Sequence, residues 1–405
     1  MPGKPPGDTA PKTPLVAAVA GTFAVQTLAA MAIHGIPVFA PAAAADYGVP
    51  ETQIGIFTAV AYAIAMAVGL AAGGFVARYG AMRICQLAMI SAAAGIAAFA
   101  VGEPWLAIVS ALLIGIGFGP MNPASAHILV RAATPKSRPF VFSLKQTGVP
   151  VGAGFAGLAV PALIALYDWR IAALALAALP LLTALLVQPV RGALDGDRRP
   201  GAVLFGGGGM TAALRALTRD PTLRRLSLIA FSYAGAQSCF AVFLVVHLTV
   251  DVGMPLAQAG AIYAVSQAGA VAGRIVWGAI SGRFIATRRI FAMQGLITGL
   301  CLCAVAAFAA DWPLSVVLPV CLVLGTTAYG WNALYLSEVA TAAPAGAISA
   351  ITGAAQFIIF STGVIFPPLF GGLAALTGNF AMSFLVMAGL TTAAGLYGFR
   401  LPREA

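Results

Sequence analysis

A chain of 405 residues that is 60% hydrophobic and only 8% charged cannot cover a water-exposed surface, since soluble domains carry about a quarter charged residues. Its solvent is lipid, and a mean hydropathy of +0.96 agrees. The net charge of +10 does not mark a nucleic-acid partner, because the basic residues form no stripe and sit in short gaps between apolar runs.

The first apolar run follows Lys4 and Lys12 and ends near the small residues Ala42–Ala45, as a signal peptide would. From Pro14 to about Ala40 it is too long for a signal core of about 7–15 residues, so it is expected to stay as the first membrane helix. Crossing a hydrocarbon core takes about 20 apolar residues. Runs of that kind predict twelve spans: 14–40, 52–77, 82–102, 105–130, 139–166, 170–189, 224–249, 257–281, 289–310, 313–338, 345–374 and 379–399. One gap is long. Residues 190–223 hold Asp195, Asp197, Arg198, Arg199, the glycines Gly206–Gly209 and Arg215, Arg219, and read as a polar linker between residues 1–189 and 224–405, each a six-helix bundle. The five cysteines, Cys85, Cys239, Cys301, Cys303 and Cys321, lie inside apolar runs without metal or redox spacing. Neither disulfides, nor a metal, nor a cofactor is expected.

Lys and Arg accumulate in cytoplasmic loops. With the N-terminus in the cytoplasm, all basic residues but Lys145, Arg170 and Arg274 fall on that side, 19 of the 22. The opposite side carries Asp46, Glu51, Glu103, Asp168, Asp251 and Asp311. A bacterial-type inner-membrane protein with both termini cytoplasmic is expected, with Arg170 an interfacial anchor.

Shifting the chain by 205 residues lays the second span on the eighth. Asp46–Gly55 and Asp251–Gly260 share D-x-G-x-P-x-x-Q-x-G, and 14 of the 38 positions from Asp46 to Arg83 are identical. Weaker echoes pair Gln26 with Gln237, His34 with His247, Asn122 with Asn332, and Gly157–Pro161 with Gly363–Pro367. A parallel repeat of two halves predicts a substrate site near the bilayer midplane, between them, and alternating access by rocking.

Polar residues at depth are the candidates for that site. Arg274 is the sharpest, because an arginine at a helix centre costs about 2.5–3.5 kcal/mol unless a partner or wet cavity compensates. It aligns with Gly69, so the repeat does not require it, and a guanidinium suits a planar carboxylate. The alternative is a structural arginine snorkelling to the cytoplasmic interface. Lys145 could be a second cation for the substrate or could itself snorkel. Asn122, Asn332, Tyr329 and Gln237 could shape a pocket or merely bond helix to helix, with Gln26, Gln267 and Gln356 lesser candidates. His34, His247 and Glu338 are candidates for proton coupling; a buried, hydrogen-bonded histidine, and an ion pair of Glu338 with Lys145 or Arg131, are the structural readings. A membrane-embedded enzyme or sensor would need paired acids or a nucleophile–base arrangement at depth, which this set does not offer, so no enzyme is expected.

The segment Gly73-Gly-Phe-Val-Ala-Arg78-Tyr-Gly80-Ala-Met-Arg83, echoed at Gly278-Ala-Ile-Ser-Gly-Arg283, resembles the hallmark motif G-x-L-x-D-R-x-G-R-R of the major facilitator superfamily. The resemblance implies an all-α transporter of twelve helices, usually a monomer, with these residues gating the cytoplasmic side. The motif's acid is replaced by Ala77 and Gly282, which puts its charge network in doubt. Ala272-Gly-Arg274-Ile-Val-Trp-Gly278 is similar to the eighth span of carboxylate and small-anion facilitators, among them monocarboxylate, oxalate/formate and cyanate-type carriers, and the fifth span lacks the Gly-Pro of the drug-antiporter signature. Together these imply a monocarboxylate-like substrate carried by proton symport or anion exchange. Efflux of hydrophobic drugs is the alternative.

Overall fold

The computed structural model describes residues 15–134, 136–204, 210–343 and 348–400; Lys4, Lys12, Gly206–Gly209 and Arg403, used above for orientation and for the linker, lie outside them. Among the described residues the ordered elements are helices, apart from one isolated bridge between Ser281 and Ile285. In lipid this is the expected solution, since a helix satisfies its own backbone groups where no water can. In chain order they are α1 Leu15–Tyr47, α2 Ile54–Tyr79, α3 Ala81–Ala100, α4 Pro104–Phe118, α5 Met121–Ala132, α6 Arg138–Leu166, α7 Trp169–Leu186, α8 Gln188–Leu194, α9 Met210–Arg219, α10 Pro221–Val250, α11 Leu256–Ile280, α12 Thr287–Ala306, α13 Leu314–Ala342, α14 Ile348–Thr377 and α15 Ala381–Gly398.

All twelve expected spans are present. The fourth is divided at Gly119–Pro120 into α4 and α5, where a proline cannot continue the amide ladder. Ala42–Ala45, the cleavage-like residues, lie within α1. Among the described residues, eleven spans are long and apolar enough to cross a membrane, by length and composition. The remaining one, α11, has the length at 25 residues, but Gln258, Tyr263, Ser266, Gln267 and Arg274 lower its apolarity.

Two faces follow from the connections. A basic face holds the ends of α2, α5 and α11 with α8 and α9; an acidic face holds the loops with Asp46, Asp168 and Asp251. The repeated aspartates do matching work there. Asp46 accepts from the Trp169 indole (2.8 Å) and pairs with Arg170 at 2.9 Å, fastening the end of α1 to α7. Arg170 is thus an ion-pair partner as well as an end-of-helix charge, and it lies over the Trp169 ring at 5.0 Å. Asp251 accepts from the Phe380 amide (2.6 Å) and faces His247 Nδ1 at 2.9 Å, fastening α10 to the start of α15. The other His247 nitrogen faces the Val305 carbonyl of α12 at 3.0 Å.

The halves meet chiefly along two seams, α2 against α14 and α6 against α11, with a smaller contact of α1 with α10. Both are tight toward the acidic face, and repeat-related glycines make them so. A Cβ on Gly55 would run into the Pro367 carbonyl, and one on Gly260 into the Gly157 carbonyl. Gly363 packs on the Tyr62 ring, with Gly157 on Tyr263. Without an apolar-versus-water drive between helices in lipid, such small-residue contacts supply the association through van der Waals packing. Toward the basic face the α2–α14 pairing gives way. A Cβ on Gly74 of α2 would collide with the Leu204 carbonyl, the Arg199 amide donates to the Ala77 carbonyl at 2.7 Å, and α14 packs on α9.

Candidate functional site

Two cations from different halves converge where α6 crosses α11. Lys145, about two turns into α6, is buried and donates to Asn122 Oδ1 at 2.6 Å and to Gln146 Oε1 at 3.3 Å. The break at Gly119–Pro120 places Asn122 in the first turn of α5, opposite that ammonium. From the second half, half-buried Arg274 donates from its guanidinium to the main-chain carbonyl of Gln146. Gln146 is therefore shared, its side chain by Lys145 and its backbone by Arg274. Among the described residues neither cation forms an ion pair with a carboxylate. The contacts above engage two of the three ammonium donors and one of the five guanidinium donors, so both cations have donors to spare.

A buried hydroxyl and amide cluster adjoins them toward the acidic face. Gln267 of α11 donates from Nε2 to the Tyr329 hydroxyl of α13 at 3.2 Å, and Tyr329 lies within electrostatic reach of Arg274, Tyr62 and Tyr263. Tyr62 continues into an aromatic triad with Phe118 and Phe360, with centroids 5.9 to 6.3 Å apart, which joins α2 and α4 to α14. Tyr62 and Tyr263 were not among the sequence candidates. One signal was available: Tyr62 is the repeat equivalent of Gln267.

The other expected residues are not gathered here. Gln237 accepts from the Trp331 indole at 3.2 Å, a contact within the second half. Asn332 is half-buried with no hydrogen bond among the described residues. His34 is buried in α1, likewise without a hydrogen bond among the described residues, while His247 is held as described, so the two repeat-related histidines differ in their surroundings. Glu338 pairs with neither Lys145 nor Arg131. It accepts from Arg288 Nε at 2.8 Å, because α13 packs on α12, whereas α5 and α6 belong to the other half.

On the basic face the hallmark motif is rebuilt with a carboxylate from elsewhere. Asp195, following α8, accepts from the amides of Met82 (2.7 Å) and Arg83 (3.0 Å), the unpaired donors in the first turn of α3. Gly80 makes room: its φ is +98°, and a Cβ there would collide with the Asp195 carboxyl. Burial raises the pKa of this carboxyl, while the two amides and Arg191 pull it down. Asp197 joins His127 at 2.6 Å and Arg131, both on α5. Arg78 and Arg283 lie over the adjacent rings of Tyr79 and Phe284, 5.6 and 5.3 Å from the centroids. Gly73 and Gly278 have open space where a side chain would go, so neither marks a close approach. Replacing Asp195 by alanine strips α3 of its cap, and the expected cost is about 1–2 kcal/mol, read as a lower melting temperature in detergent. An unchanged melting temperature would mean that the cap carries no stability.

A recess of about 860 Å³ lies beside this motif, between Ala67–Ala77 of α2 and Arg199–Leu204. Arg199 is its one charged lining residue, and no set of polar side chains converges there.

With twelve spans, duplicated halves and a motif loop held in this way, the comparison with known families is decisive: the profile described as Major Facilitator Superfamily matches residues 22–367. The chain belongs to the major facilitator superfamily. As such it is a secondary transporter rather than an enzyme. Solved structures of the same fold include a mutant of the nucleoside transporter NupG, at 12% identity and a TM-score of 0.77 over 96% of this chain and 100% of that one. A bacterial homologue of the human lysosomal transporter Spinster, in an inward-facing and unoccupied conformation, gives 16% identity and a TM-score of 0.74 over 95% and 96%. Among curated proteins, the multidrug resistance protein MdtH of Klebsiella pneumoniae (strain 342) is 31% identical over 128 residues, 31% of this chain and 32% of that protein. The match thus spans about a third of the relative's length. In this facilitator the motif keeps Gly73, Arg78 and Gly80, while its acid is replaced by Ala77 and its last two arginines by Ala81 and Met82, and Asp195 stands over the α3 amides.

Proposed function

We propose that this facilitator carries a small organic anion, monocarboxylate-like, bound between its halves by Arg274 and Lys145. The observation that carries the reading is the meeting of two cations, one from each half, without a carboxylate between them among the described residues. Burying one uncompensated charge is costly; holding two side by side adds mutual repulsion, which a bound anion would relieve. Asn122 orients Lys145, Tyr329 lines the approach, and Gln237 and Asn332 lie farther along α10 and α13 as pocket walls. Coupling is by proton symport, with His34, His247 and Glu338 the titratable candidates, or by anion exchange. The chain sits in a bacterial-type inner membrane with its basic face and both termini in the cytoplasm and works as a monomer. In that orientation the tight seams close the outer side.

Partial similarity to a multidrug resistance protein favours a second reading, efflux of hydrophobic compounds. Proteoliposomes distinguish the two. On the anion reading, labelled short-chain carboxylate enters vesicles loaded with the same acid or energised by a proton gradient. Vesicles that exchange no carboxylate but expel lipophilic dyes would overturn it in favour of efflux.

A further inference from the structure

Gln267 is 1% exposed, and only half of its amide is used. Nε2 donates to Tyr329, whereas Oε1 is buried with no hydrogen-bond partner among the described residues. Leaving a buried acceptor unmade is costly, and a Cβ added to Gly154 of α6 would come within 3.2 Å of the Gln267 Cβ, which places this side chain at the seam between the halves. Gln267 and Arg274 are seven residues apart on α11, hence on one face, about two turns or roughly 10 Å along the axis. Helical side chains all lean toward the N-terminal end, so both lean alike and the separation of roughly 10 Å is kept, with the guanidinium level with Gln146 of α6. Tyr329 touches one and lies within electrostatic reach of the other.

Resting on the anion reading above, we propose that this site selects carboxylates bearing a hydroxyl at the far end of a short spacer, with Gln267 Oε1 the acceptor that reads the hydroxyl. The donor must be neutral: an ammonium at that end would face the repulsion of both Arg274 and Lys145. A hydroxyl satisfies the acceptor without adding charge, while the spacer runs past the Tyr329 ring. A ligand that fills a buried polar vacancy discriminates more strongly than one that merely adds an apolar group, which makes Gln267 a specificity residue rather than a source of bulk affinity.

The test compares matched pairs on the full-length purified protein, butyrate against 4-hydroxybutyrate and benzoate against 4-hydroxybenzoate, by equilibrium competition binding. In at least one pair the hydroxylated acid is expected to bind about tenfold more tightly, the order of one hydrogen bond to a buried acceptor. Gln267→Leu, which keeps the volume and removes the acceptor, should abolish that preference, read as the ratio of the two affinities within each pair; Gln267→Met serves if the leucine variant does not fold. Equal binding within both pairs, or a preference that survives both variants, overturns the inference while leaving the anion reading standing. Failure of every carboxylate to bind would sink the anion reading itself, and this inference with it.

Discussion

Arg274→Gln is expected to weaken carboxylate binding about a hundredfold while the protein still folds. Hydrogen bonds to a charged partner are worth about 1.5–3 kcal/mol, and the guanidinium can give two in parallel to one carboxylate. Glutamine is shorter and neutral, so it loses the charge, the fork and the reach to the Gln146 carbonyl together. Arg274→Lys should recover only part of the affinity, since an ammonium restores the charge without the planar pair of donors. Lys145→Gln is expected to weaken binding too, and the double variant by less than the product of the two, because both cations contact one ligand. Competition binding reads all four, with melting temperatures as the control for folding. Full affinity in Arg274→Gln would assign Arg274 a purely structural role.

The second large effect concerns the seams. Gly260→Leu is expected to stop transport by keeping the halves from closing at the acidic face. The new side chain would enter the space of the Gly157 carbonyl and of Pro161, backbone and ring atoms that cannot swing aside. Overpacking of this kind costs about 1–3 kcal/mol. If the halves rock, that strain is relieved in the state open at the acidic face, whose population should rise about 5- to 150-fold relative to the closed state. A cysteine placed at Ala264, which faces Gly154 across the same seam, should become reactive to an impermeant thiol reagent from that face. Gly389→Leu on α15, where a side chain meets open space, is the matched control and should transport normally. Normal transport by Gly260→Leu, with no gain in labelling, would show that closure of this seam is not part of the cycle.

How much of this could be read from the residues differs by level. The twelve spans are legible because the bilayer imposes one length and one composition on each. Even the break in the fourth is marked, by Gly119–Pro120. The least apolar span, α11, carries Gln267 and Arg274, so the residues that weaken its membrane signal are the ones that make it a candidate site. Duplication is legible too, and it reappears in matched contacts: Gly55 with Gly260 at the seams, and Asp46 with Asp251 at the ends of α1 and α10. What could not be read are pairings across long separations. Nothing in the local pattern says that Asp195 will cap α3, more than a hundred residues earlier, or that Glu338 will choose Arg288 over Lys145. Such choices depend on which helices become neighbours, which hydropathy does not encode. Residue spacing singles out Lys145, Asn122, Arg274 and Tyr329 as deep polar groups, and the fold places these four near one another. It gives Gln237 and Asn332 equal weight, though their surroundings belong to the second half.

The central claim, an anion held between the halves by Arg274 and Lys145, is tested most directly by the thermal stability of the purified protein against a panel of short-chain carboxylates and lipophilic cations. A ligand at 100 times its dissociation constant adds about 2.7 kcal/mol to the stability of the state that binds it. Carboxylates are expected to raise the melting temperature of the native protein and not that of Arg274→Gln. Stabilisation by lipophilic cations alone would contradict the account and favour hydrophobic efflux.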